Sequence, residues 1–134
     1  MAQPNLELVQ RIMRRFAEED LEGALEDIDA EAVLDWSGSD APDSGVYSGR
    51  AAIRAFMQAR DEALGERRVD PIELIAPAAD VVVVVGRIRE QGRASGAEVE
   101  SRGAVVWTLR DEKVIRLKLY QSRDEALKAV GLAR

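Results

Sequence analysis

Histidine and cysteine are both absent from the 134-residue chain. Without histidine there is no imidazole to serve as general base, as metal ligand or as partner to a serine or cysteine nucleophile. Without cysteine there is neither a disulfide framework nor a thiolate metal site. No metal and no cofactor are expected. Aromatic residues are sparse, with two each of Trp, Tyr and Phe. No apolar stretch approaches the roughly 20 residues of a membrane span, so no membrane partner is expected. The N-terminal MAQPNLELVQRIMRRF lacks the apolar core and cleavage site of a signal peptide, which implies a cytoplasmic location. Positive charge is not in excess. Nineteen Lys and Arg stand against 25 Asp and Glu, for a net charge of −6. That balance argues against a nucleic-acid surface and favours solubility.

What is present is aliphatic and β-branched. The length fits one domain, 1–134, with a real core. Residues 80–120 read as three consecutive antiparallel strands. Val81 to Val85 is a run of five valines, whose stiff side chains suit a strand buried on both faces. Beyond Gly86 the strand turns polar at Arg87, Arg89 and Glu90. Gly92 to Gly96 is a turn. The next strand, about Ala97 to Leu109, puts Gly103, Val105, Trp107 and Leu109 on one face by the two-residue period. Arg110 to Lys113 closes a hairpin. Val114 to Tyr120 then sets Ile115, Leu117 and Leu119 against Arg116 and Lys118.

Ahead of this meander the spacing predicts helices. Leu6–Glu19, with Asn5 as N-cap, carries an apolar stripe of Leu6, Val9, Ile12, Met13 and Phe16. Arg11, Arg14 and Arg15 lie on its other, solvated face. Asp20 caps a shorter helix, Leu21–Ile28. Ala32–Trp36 reads as a strand and Ser37–Ser48 as a loop long enough to form a lip over a pocket. A third helix runs from Ser48 or Gly49 to Leu64, with Ile53, Phe56, Met57, Arg60 and Leu64 on one stripe. Pro71 makes Val69–Ala76 an edge strand or a strand start. Arg123–Val130 is a last short helix that ends at Gly131 and caps one end of the sheet.

Helices grouped ahead of an antiparallel sheet mark an α+β fold. The stretches Asp20-Leu-Glu-Gly-Ala-Leu-Glu-Asp-Ile, Ala32-Val-Leu-Asp-Trp and Gly45-Val-Tyr-Ser-Gly-Arg-Ala-Ala-Ile-Arg-Ala-Phe56 resemble the SnoaL-like family. That family belongs to the nuclear transport factor two-like, or ketosteroid isomerase-like, superfamily. Trp107-Thr-Leu-Arg-Asp-Glu-Lys-Val-Ile-Arg and Glu125-Ala-Leu-Lys-Ala-Val-Gly-Leu132 resemble it too. The resemblance implies a curved antiparallel sheet wrapped on three N-terminal helices, with a conical pocket between them. It also implies a homodimer through the sheet and a small, mostly apolar ligand. On this chain the pocket set is Ile12, Phe16, Trp36, Tyr47, Phe56, Arg87, Val105, Trp107, Leu117 and Leu119.

The family's chemistry transfers poorly. Ketosteroid isomerase uses a carboxylate base and two neutral acids around a developing oxyanion. The resemblance sets the base on Asp35, but the two acids fall on Ile12 and Val105, which donate no hydrogen bond. Without those donors the largest catalytic contribution is missing, and no efficient steroid isomerisation is expected. Limonene epoxide hydrolase uses an Asp–Arg–Asp set. Arg87 falls near its arginine, but its two acids fall on Arg89 and Leu119.

Asp35 is thus the one candidate for proton transfer. Strand alternation leaves two orientations open. An inward Asp35 among apolar neighbours would have a raised pKa and could act as a base. An outward Asp35 would be solvated, with Trp36 lining the pocket. Arg87 or Arg89 either holds an anionic ligand group or pairs with Glu98 or Glu100 across the hairpin. Three functions follow. The first is a small-molecule binding protein without a catalytic set. The second is a cofactor-independent isomerase, cyclase or dehydratase with Asp35 as base and Arg87 or Tyr47 as electrostatic partner. The third is an accessory module whose pocket is filled by its own side chains.

Overall fold

In a computed structural model of the chain, Val81–Val85 opens a strand with both faces covered, as five consecutive valines require. Val82 and Val84 join one apolar cluster. Val83, flanked by Val81 and Val85, joins a second on the opposite face. The structure describes residues 4–39, 44–78, 80–92 and 98–131, with the backbone alone at 4, 60–70, 72, 88–92 and 98–102.

The elements run α1 (Pro4–Ala17), α2 (Leu21–Leu25), β1 (Ile28–Asp35), β2 (Val46–Ser48), α3 (Arg50–Ala63), β3 (Leu64–Ala78), β4 (Val81–Gly92), β5 (Glu98–Arg110), β6 (Lys113–Tyr120) and α4 (Arg123–Ala129). The six strands form one sheet in the order β2-β1-β6-β5-β4-β3. Every pairing is antiparallel except β1 with β6. That parallel contact follows from the order of the chain. β1 is separated from β6 by the short β2, a helix and three long strands, and β6 pairs with it on the far side of the meander.

The inner face of the sheet carries Leu34, Val82, Val84, Trp107, Leu109 and Leu117. Leu8, Val9 and Ile12 of α1 and Ile53 and Phe56 of α3 pack against them in one core cluster. The outer face carries Val83, Ala104 and Val106, covered by Ala126 of α4. The last helix therefore lies on the outer face of the sheet and does not cap its end.

Local chemistry explains where elements start and stop. Asp20 caps α2, accepting from Gly23 N–H at 3.0 Å. α1 begins at Pro4, so Asn5 lies inside the helix and is not its cap. A proline fits the first turn because that N–H has no intrahelical acceptor. α1 ends in a left-handed residue, Glu19 at φ 61°. The Asp20 and Glu19 N–H groups donate to the Arg15 and Phe16 carbonyls, a Schellman closure without its usual glycine. Ile28, expected at the end of α2, is the fully buried start of β1. The expected Ser37–Ser48 loop is shorter, because Val46–Ser48 pairs with Val33–Asp35; residues 40–43 lie outside the described residues.

β3 is the sheet edge, and its register shifts between Pro71 and Glu73, which is where a strand proline is tolerated. β5 and β6 are joined through Asp111 (φ 52°) and Glu112 (φ 62°), the two positive-φ residues of a type I′ hairpin turn. In β6 the expected inward set is displaced at its start. Thr108 faces Arg116 while Leu109 faces Val114, so Ile115 is the extra residue of a bulge and Val114 takes the inward place. Gly131, at φ +80°, follows α4 as the expected C′ glycine.

Candidate functional site

The inner face gathers most of the chain's aromatic surface. Leu34 stands in register with both Tyr47 and Leu117, which aligns β2, β1 and β6 on this side. Tyr47 packs on Phe56 with ring centroids 4.6 Å apart. Trp36 meets Phe56 edge-on at 5.8 Å. Such tilted and T-shaped contacts suit the ring quadrupoles. Trp107 and Ile12 are buried in the same cluster, and Phe16 and Val105 pack against it partly buried. Leu119 follows Leu117 by the two-residue period and stands opposite Val105. The structure thus brings Ile12, Phe16, Trp36, Tyr47, Phe56, Val105, Trp107, Leu117 and Leu119 to one side of the sheet.

Arg87 does not join them. β4 pairs with β5 without a register shift from Val81 to Gln91. Alternation therefore carries Arg87 to the outer face with Val81, Val83 and Val85. The expectation that Arg87 reaches the interior is corrected on that ground. The expected pairs of Arg89 with Glu98 or Glu100 fall on side chains outside the described residues, although the backbone sets Arg89 opposite Glu100.

Asp35 matches neither expected environment. It stands opposite Lys118 and next to Val33, which stands opposite Arg116. All of them lie on the outer face, away from Leu34 and Trp36. Yet it is not solvated: Asp35 is 8% exposed, the one buried charged residue among the described residues. Its Oδ1 accepts from the Ser37 hydroxyl at 2.6 Å and from the Ser37 N–H at 3.1 Å. Its Oδ2 lies 3.5 Å from the Arg116 guanidinium and 3.7 Å from Lys118 Nζ.

The Ser37 hydroxyl bond is the main reason that Asp35 is held below the usual carboxylate range. Burial opposes it, while the Ser37 N–H, Lys118 and Arg116 act in the same direction as the hydroxyl. A base at neutral pH needs the opposite shift. The alternation rule left the direction of Asp35 undecided. A Ser two residues after an Asp at a strand end was a readable sign of a locally closed carboxylate, because such side chains bond the backbone just ahead.

One polar atom on the inner face has no match in the sequence reading. The Trp107 indole is 6% exposed, and its Nε1–H is buried without a hydrogen-bond partner. Leaving a buried donor unsatisfied costs about 1–3 kcal/mol.

The outer face holds a cavity of about 400 Å³ between the sheet and α4, lined by Val81, Val106, Thr108, Arg116, Lys118 and Tyr120 among others. Among the described residues no group of three or more Asp or Glu is placed to hold a metal ion. Among them, too, no helix is long and apolar enough to cross a membrane.

Comparison with known proteins places this architecture. The model of a SnoaL-like domain matches residues 9–117. No curated protein matches the chain. Among solved structures, an NTF2-like protein of unknown function from Burkholderia pseudomallei aligns with a TM-score of 0.78 at 20% identity, over 98% of this chain and 99% of that one. A Mycobacterium tuberculosis protein in complex with estradiol-17β-hemisuccinate aligns at 0.77 and 20% identity, over 92% and 97%. The Δ5-3-ketosteroid isomerase of a Mycobacterium species aligns at 0.76 and 20% identity, over 92% and 96%.

Proposed function

The chain belongs to the SnoaL-like family, and from that premise we propose that it binds a small, mostly apolar molecule between the inner face of the sheet and helices α1 and α3. The observation that carries this reading is the Trp36–Phe56–Tyr47 ring contact, joined on the same face by Trp107 and Ile12. Aromatic walls with few polar atoms are what a pocket for an apolar ligand requires. A structural neighbour from Mycobacterium tuberculosis is in complex with estradiol-17β-hemisuccinate, whose steroid skeleton supports the apolar part of the proposed ligand class.

Binding without catalysis is the better-supported form of the proposal. The isomerase, cyclase or dehydratase alternative needs Asp35 as base. That carboxylate faces the outer side, is tied to Ser37, Arg116 and Lys118, and has a lowered pKa. Ile12 and Val105 offer no hydrogen to an oxyanion. A homodimer through the sheet belongs to the same proposal, as the family resemblance implies. Sedimentation velocity checks it: a dimer is expected for the native chain, and a monomer at all concentrations opposes it.

The test of binding uses the chain's own fluorescence, since both tryptophans lie on the inner face. Titration with progesterone is expected to change the emission saturably. A linear change equal to that of free N-acetyltryptophanamide would contradict the proposal.

A further inference from the structure

The register of the sheet builds a recess on its outer face. Thr108 stands opposite Arg116, Val106 opposite Lys118 and Ala104 opposite Tyr120. One strand over, Val81 stands opposite Thr108. Two cations and a phenol ring on β6 therefore share a face with an apolar strip on β4 and β5. The end of β3 adds Pro77 to the lining and the end of α4 adds Val130, which leaves the cavity of about 400 Å³. One chain supplies these walls, so the recess is complete without a second copy.

The charges around this cavity do not balance. Arg116 and Lys118 both turn to one carboxylate oxygen, Asp35 Oδ2, at 3.5 and 3.7 Å. The other oxygen is closed by Ser37. One negative charge thus faces two positive ones, and both contacts are longer than the roughly 2.7–2.9 Å of a charge-assisted hydrogen bond. The Arg116 side chain is 50% exposed and that of Lys118 36%. Among the described residues no Asp or Glu lines the cavity. Glu73 on β3 is already matched to Arg123 of α4 at 2.7 Å. The Lys118 ammonium lies 5.3 Å from the centre of the Tyr120 ring, a cation–π contact at the cavity wall.

From this we infer that the outer cavity is a second binding site, and that it takes a small amphipathic monoanion, a carboxylate on a compact apolar chain. The carboxylate completes the bonding that Arg116 and Lys118 do not find in Asp35. The hydrocarbon lies on Pro77, Val81, Val106 and Val130. A cationic head group is repelled by the same pair of side chains. The site lies across the sheet from the inner face and does not rest on the ligand proposed there.

Octanoate and octylammonium, equal in chain length and opposite in charge, test it by isothermal titration calorimetry. Octanoate is expected to bind the native chain saturably, at least about tenfold more tightly than octylammonium. Lys118→Gln and Arg116→Gln should each weaken octanoate about threefold to tenfold, the value of one solvent-exposed hydrogen bond. Progesterone affinity should stay within about twofold in both variants.

The native chain gives a second readout that does not depend on a variant folding. Octanoate methylenes should show nuclear Overhauser contacts to the Val106 and Val130 methyl groups, and saturating progesterone should leave octanoate affinity unchanged. Displacement of octanoate by progesterone, or equal affinity for octylammonium, overturns the outer site. So does the absence of saturable octanoate binding, including the case in which a second copy seals the cavity. Octanoate binding without progesterone binding upholds this site and ends the inner-face proposal alone.

Discussion

The Ser37 hydroxyl donates a 2.6 Å hydrogen bond back to the Asp35 carboxylate two residues earlier, at the point where β1 leaves the sheet. Together with the Ser37 N–H it closes one carboxylate oxygen, and Arg116 and Lys118 approach the other. The group is buried, charged and already matched, which describes a structural carboxylate. Asp35→Asn keeps an acceptor for Ser37 but removes the charge that holds Arg116 and Lys118. It should lower stability by about 1–2 kcal/mol in chemical denaturation and leave ligand affinity within about twofold. A large loss of binding with unchanged stability would return Asp35 to the ligand site.

The same carboxylate sets part of the acid limb. Its folded pKa lies below the unfolded value of about 3.9. Its contribution is therefore fully present above about pH 4 and is lost as pH falls through the folded value. The stability difference between the native chain and Asp35→Asn should be constant from about pH 5 to 7 and shrink below about pH 4. Urea denaturation across that range checks it. A difference that persists unchanged at pH 2.5 would contradict the assignment.

Most of the architecture was readable from pattern. Five valines marked a doubly buried strand, Pro71 marked an edge, and Asp20 and Gly131 marked helix ends, because each of those signals is local. What could not be read was set by register. Ile115 becomes a bulge residue only because Thr108 and Leu109 face residues two apart in β6. Val46–Ser48 becomes a strand only because β1 has an unpaired edge to offer. The site shows the same limit. Alternation narrowed Asp35 to two faces, and the choice between them depended on Leu34 meeting Leu117 across a parallel contact. That Trp107 would be buried followed from its strand; that its N–H would lack a partner depended on every neighbour at once.

Arg87 provides a direct check of that facial assignment. Being on the outer side, Arg87→Met should leave the progesterone affinity within about twofold, since alternation places the side chain away from the inner face. A loss of more than about tenfold, read by the same fluorescence titration, would place Arg87 in the interior.

The β5–β6 turn carries avoidable strain. A type I′ turn needs positive φ at both central positions, and here they are Asp111 and Glu112. Glu112→Gly produces the favoured Asp-Gly pair and should raise stability by about 0.5–1 kcal/mol. Differential scanning calorimetry should show a higher Tm, and a lower one would mean that Glu112 makes a contact worth more than the strain.

Gly38 behaves oppositely. A Cβ at this position would lie 2.7 Å from the Leu119 carbonyl oxygen, a backbone atom with no freedom to withdraw. Gly38→Ala should therefore destabilise by about 1–3 kcal/mol, in the range of overpacking changes. Because it forces apart the loop after Trp36 and the end of β6, it should also weaken ligand binding. Retained stability and affinity would show that the loop can shift freely.

The central claim is that a small, mostly apolar molecule occupies the inner face of the sheet. A crystal structure of the native chain grown with progesterone tests it most directly. Density is expected between α1, α3 and the inner strands, against Trp36, Tyr47 and Phe56. Density confined to the outer cavity beside Arg116 and Lys118, with the inner face unchanged, would contradict it.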